Sequence, residues 1–158
     1  DKKTVYYAQG DDGLQTNPSH STHGQLIDLI GGVNVADSLG QGNTTGGVQV
    51  SVEQVIDWNP EIIITNDAEF YASVYNNPNW ASIDAVKNKE VYVCPQSPFK
   101  WFDSPVGWTA KVIYPDLYKD IDMVGATQEF YSNFYHIDLS NDDAKQMLLD
   151  SGLKESNL

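Results

Sequence analysis

The run Glu61-Ile62-Ile63-Ile64-Thr65 follows directly on Asn59-Pro60 and constrains the fold more than any other stretch. Proline ends whatever helix precedes it, and three consecutive isoleucines leave no polar face to turn toward water. A continuous apolar run of this length is a strand buried on both sides, as in a parallel sheet. Two other runs share its character. Thr4-Val5-Tyr6-Tyr7-Ala8 is β-branched and aromatic, and Glu90-Val91-Tyr92-Val93-Cys94 is closed by Pro95. Val33 and Val35 suggest a very short fourth strand.

Helical segments fall between them. Ser21 or Thr22 is placed to cap a helix through Gln25, Leu26, Leu29 and Ile30, which Gly31-Gly32 stops. Ser51 and Gln54 have the S-x-x-Q spacing of a capping box and open a two-turn helix. Short helices are expected near Phe70–Tyr75 and over Trp80–Val86. Beyond Asp103, Trp108, Val112 and Ile113 share one helical face, and two further helices are expected over about Thr127–Tyr135 and Ser140–Leu149. Strands alternating with helices give a single α/β domain over residues 1–158. Its expected architecture is a three-layer α/β/α sandwich with a mainly parallel central sheet.

Composition removes several function classes. The net charge is −13, carried by 22 acids against nine lysines and no arginine. Such a chain does not bind nucleic acid, which needs clustered cations. It also lacks a basic patch for anionic membrane. A single cysteine, Cys94, allows no internal disulfide and no thiolate zinc site. No P-loop, G-x-G-x-x-G or G-x-S-x-G elbow is present, so no enzymatic chemistry is expected.

In open α/β sheets, ligands sit outside the carboxyl ends of the strands. That rule selects three loops: Gln9–His23, Asn66–Tyr71 and Pro95–Asp103. The last carries Phe99, Trp101 and Phe102, which suit the wall of a pocket for a flat or bulky ligand, and Phe70 and Tyr71 follow another strand end. His20 and His23 lie three apart at a helix start, where imidazoles contact a ligand or bind a transition metal. An enzyme or metallochaperone lobe using these two histidines as metal ligands, and a pure interaction module, are the alternatives to a binding protein.

Four segments, in this order, resemble one family. They are Gly13–Thr16 with Ser21–Ala36, Val50–Ile64, Trp80–Val93 and Trp101–Pro105. Together they are similar to the helical-hinge substrate-binding proteins of ABC importers for iron-siderophore, haem, cobalamin and related cargo. The resemblance is to the carboxy-terminal lobe. It implies a missing amino-terminal lobe and hinge helix, a membrane permease as partner, and an extracytoplasmic protein, periplasmic or anchored as a lipoprotein. It further implies no cofactor of its own and a metal-chelate or corrinoid cargo. Glu53 matches the acidic residue that such lobes present to the permease, with Asp57 as its rival one turn later. Ser104 stands where relatives that bind anionic siderophores often carry arginine, so charge for such a chelate would come from the other lobe.

Overall fold

A computed structural model describes residues 1–21, 23–40, 47–95 and 106–158. Its centre is a four-stranded, fully parallel sheet in the order β3-β1-β5-β6, formed by β1 (Thr4–Ala8), β3 (Val33–Asn34), β5 (Ile62–Thr65) and β6 (Val91–Val93). Val5, Tyr6, Tyr7 and Ala8 pair with Ile62, Ile63, Ile64 and Thr65, and Ile63–Thr65 pair in turn with Val91–Val93. The isoleucine run therefore has a strand on each side and is buried throughout.

Alternation along the strands sorts their side chains into two cores. Val5, Tyr7, Ile62, Ile64 and Tyr92 face α1 (Gln25–Ile30), α5 (Val106–Ile113), α6 (Met123–Tyr135) and α7 (Asn141–Asp150). Tyr6, Ala8, Ile63 and Val91 face α2 (Val52–Trp58), α3 (Ala68–Ser73) and α4 (Asp84–Lys87). The result is the expected α/β/α layering. No helix is long and apolar enough to cross a membrane, among the described residues.

Local chemistry sets most boundaries. The Ser51 hydroxyl accepts from the Gln54 amide at 3.2 Å and starts α2, while Asn59 in the left-handed region ends it. Gly31, also left-handed, ends α1. Three expectations shift. The first helix begins at Gln25 rather than beside Ser21, because the Ser21 hydroxyl is engaged by Pro18 O and the Gly24 amide within a preceding turn. Val35 belongs to a 3₁₀ turn, Val35–Leu39, rather than to the short strand. The helix expected over Trp80–Val86 is confined to α4, since Asn77–Ile83 is a succession of i→i+3 turns.

A second, two-stranded antiparallel ribbon joins β2 (Gln15–Thr16) to β4 (Val48–Gln49). It ties the loop after β1 to the segment that leads into α2. Two elements distant in sequence thus meet at the carboxyl edge of the main sheet.

Candidate functional site

The loop after β1 is built as a compact, internally bonded unit. Gln9 pairs with Gln15, Gly13 N donates to Gly10 O at 3.0 Å, and the Asp12 carboxylate accepts from Leu14 N at 2.9 Å. Gly13 is required twice over. Its φ is +71°, and a Cβ there would lie 2.3 Å from the Phe70 ring. Tyr6 reaches up from the sheet and donates to Gly13 O at 2.8 Å. Its phenol is pushed well above the ordinary range by burial. Further along, Ser19 is held by its amide and hydroxyl to both oxygens of Asp37, at 2.7 and 2.8 Å. Asn34 donates to Asn17 O at 2.8 Å and caps the 3₁₀ turn through Ala36 N. The chain then folds so tightly that a Cβ on Gly24 would meet Pro18 O at 2.1 Å.

This framework brings His23 beside the sheet end. Its ring is half-buried and lies 6.5 Å from the ring of Tyr7, whose hydroxyl accepts from Gln9 Nε2 at 3.5 Å. His20 is exposed and sits in a turn rather than on a helix. The two histidines therefore do not form the aligned helical pair that their spacing suggests. Among the described residues, no three His, Cys, Asp or Glu side chains gather as a metal site would need.

The loop after β5 divides its two aromatics. Asp67 caps α3 by accepting from Glu69 N and Phe70 N at 2.9 and 3.0 Å. That cap turns Phe70 inward. It is 2% exposed and meets Trp80 edge-on at 4.8 Å, so it is a core residue that shapes the loop from beneath. Tyr71 is half-buried and points toward the outer edge of β6, where a Cβ on Gly152 would come within 3.0 Å of its hydroxyl. Phe70 thus meets the sheet end only from beneath, through Gly13, and Tyr71 is turned toward β6 instead. Phe99, Trp101 and Phe102, with Thr22 and Ser104, lie outside the described residues.

Residue reading also passed over Thr16 and Asn17. Both are buried, at 0% and 3% exposure, and Thr16 Oγ1 and Asn17 Oδ1 have no hydrogen bond among the described residues. Buried polar atoms in this state are costly unless a ligand or water completes them. The available signal was Thr16-Asn17-Pro18 immediately after a glycine turn, a polar run where burial is not expected. Glu53, finally, is exposed in the first turn of α2, with Asp57 exposed one turn on.

Comparison with known proteins gives the fold its family. Residues 1–98 match the model of the periplasmic binding protein family. The molybdate-binding protein MolA of Haemophilus influenzae is 30% identical over 153 residues, covering 91% of this chain and 42% of that protein. An ABC transporter solute-binding protein from Sulfurospirillum deleyianum superposes with a TM-score of 0.80 at 37% identity, over 92% of this chain and 47% of that one. A periplasmic solute-binding protein from Veillonella parvula gives the same TM-score at 25% identity, over 99% and 50%. The chain thus spans about half the length of the relatives it matches.

Proposed function

The chain belongs to the periplasmic binding protein family, and from that premise we propose that it is the carboxy-terminal lobe of a substrate-binding protein serving an ABC importer. On this reading the protein captures cargo between two lobes outside the cytoplasm and presents it to a membrane permease. The observation that carries the proposal is the loop Gln9–His23. Its described residues are densely hydrogen-bonded at the carboxyl edge of a parallel sheet and hold His23 beside Tyr7, with buried, uncompleted polar atoms on Thr16 and Asn17. A lobe that binds but does not react needs just such a preorganised hydrogen-bonding surface and no nucleophile.

Two cargo classes fit. The first is a metal chelate or corrinoid, held against the aromatics of Pro95–Asp103. The second is a small oxyanion, favoured by the molybdate-binding Haemophilus relative and by the hydrogen-bonding groups of His23, Tyr7, Thr16 and Asn17. Glu53 is the proposed contact with the permease. It is exposed, it lies where the helix dipole favours a carboxylate, and it sits on the element tied by β2–β4 to the cargo loop.

The test is a thermal-shift panel on the two-lobed protein with molybdate, haem, cobalamin and ferric chelates. A ligand in excess of its dissociation constant by 100-fold stabilises by about 2.7 kcal/mol, a shift of several degrees. One class should do this, and His23→Ala should diminish it. If none does at saturating concentration, the binding-lobe reading fails.

A further inference from the structure

A second site lies at the opposite end of β6 from the cargo loops. Among the described residues β6 has a strand on one side only, so the backbone groups of Val91 and Val93 face outward. They are already engaged. The Tyr75 hydroxyl lies 3.3 Å from Val91 N and 3.5 Å from Val91 O, and Val93 N donates to Ser151 O at 3.0 Å. This edge is closed to an added strand. Where the chain passes over it, Gly152 adopts φ +96° and presents no side chain, leaving an open groove of about 670 Å³.

The lining of that groove is unusual for this protein. Its floor is apolar, from the buried Val86 and Val91 with Ala81 exposed at the margin, and its wall is the edge-to-face pair Tyr71–Tyr75, with ring centroids 6.5 Å apart. Burial raises both phenols, with the carboxylates of Asp150 behind Tyr71 and Glu90 behind Tyr75 adding to it, so they stay neutral. The rim carries Lys87, Lys89 and Lys154, three of only nine lysines in a chain of net charge −13. Lys87 is paired with Asp84 at 3.3 Å and Lys154 with Glu90 at 2.9 Å, and neither acid lines the groove. Lys89 is exposed and its ammonium has no partner among the described residues, while its backbone sits at φ +58°.

We propose that this groove, formed by Tyr71, Tyr75 and Gly152 and rimmed by Lys87, Lys89 and Lys154, binds a small anion carried on a flat apolar body, such as an aryl phosphate or aromatic carboxylate. The ring lies against the tyrosines and the floor, and the anion takes the free ammonium of Lys89 with the other two lysines nearby. An extended peptide is disfavoured because the strand edge offers it no hydrogen bonds. The site is separate from the cargo face and does not depend on what that face carries.

Phenyl phosphate is the probe, titrated into the ¹⁵N-labelled two-lobed protein. Saturable shifts should appear at Tyr71, Lys89, Val91 and Gly152 and leave the 9–23 loop unmoved. Lys89→Ala should weaken binding by about two- to fivefold, the range of one exposed charge pair, and Lys89→Glu by more, with Tm unchanged. Lys119→Glu, exposed and outside the groove lining, should have no effect. Inorganic phosphate and phenol should each bind more weakly than the joined molecule. The proposal is overturned if no saturable shift is seen, if the shifts fall on the 9–23 loop, if Lys89→Glu binds normally, or if inorganic phosphate matches phenyl phosphate.

Discussion

The two faces of the central sheet are closed in different ways. On one, α1, α5, α6 and α7 assemble around Trp108, which is fully buried and donates from Nε1 to Ser151 Oγ at 2.8 Å; that hydroxyl in turn donates to Leu148 O. This face is knitted by residues 43 positions apart. On the other, three short helices surround an aromatic group, with Trp80 between Tyr6 and Phe70 at 6.3 and 4.8 Å. That face is held mainly by packing, with Tyr6 donating to Gly13 O, and it lies directly beneath the Gly13 turn of the 9–23 loop. One face is thus fixed by a directional hydrogen-bond relay through Trp108, and the other carries the 9–23 loop on packed rings.

Truncating either tryptophan should be severe. Trp108→Ala and Trp80→Ala should each cost about 3–5 kcal/mol in chemical denaturation. The milder pair separates the faces. Trp108→Phe strands the Ser151 contact and should cost about 1–3 kcal/mol beyond the lost volume, whereas Trp80→Phe loses volume alone. Equal costs for the two phenylalanine variants would erase the distinction.

Next in size is Lys111, 2% exposed in α5, whose ammonium donates to the carbonyls of Tyr118, Lys119 and Ile121 at 2.8, 3.3 and 3.2 Å. It closes the Tyr114–Ile121 segment onto the hydrogen-bonded face. Lys111→Met keeps the stem and frees three carbonyls, so a loss of about 1–3 kcal/mol is expected, with faster amide exchange over 114–121. Unchanged exchange would remove that role.

Caps come next, one on each face. Asp122 accepts from Gly125 N at 2.9 Å at the start of α6, and Ser51 does the same for α2. Alanine at either should cost about 1 kcal/mol. Only Ser51→Ala should also disturb the 9–23 loop, through β4 and β2.

How much of this was legible is clearest at α4. The strand runs Thr4–Ala8 and Ile62–Thr65 declare themselves because apolarity alone decides their fate. The α4 start does not, because its cap comes from far away: Asn59 Oδ1 accepts from Asp84 N at 2.9 Å, 25 residues downstream. α6 begins four residues before Thr127, since Asp122 overrides the helix-weakening Gly125. Around the 9–23 loop, His23 lies half-buried by the sheet end, while Phe70 is packed into the core beneath it. An aromatic after a strand reads equally as pocket wall or core, and only the Asp67 cap and the bare Gly13 show which way it turns. Burial of Thr16 and Asn17 rests on contacts with Asn34 and the second ribbon, which no local pattern encodes.

The smallest expected effect concerns the sheet's amino end, away from the cargo. Lys3 and Glu61 are paired at 2.7 Å and both are over 40% exposed. Lys3 holds the Glu61 carboxyl below its ordinary 4.5, so its contribution is present above that pH and is lost as pH falls through the lowered value. Glu61 raises Lys3 above 10.5, and that share is lost as pH rises through the raised value. Between these limits the pair contributes below about 1 kcal/mol. Glu61→Gln should flatten both arms of the stability profile by that little, as read by urea midpoints across pH.

The most direct test of the cargo face is calorimetry on the two-lobed protein with the ligand that the thermal-shift panel selects. His23→Ala should weaken binding about tenfold or more, as expected when a desolvated hydrogen-bonding group of about 1.4 kcal/mol is lost, and Tyr7→Phe, fully buried beside that ring, by less. Glu53→Gln should bind cargo normally. Unaltered affinity in both site variants, with folding intact, would contradict the account.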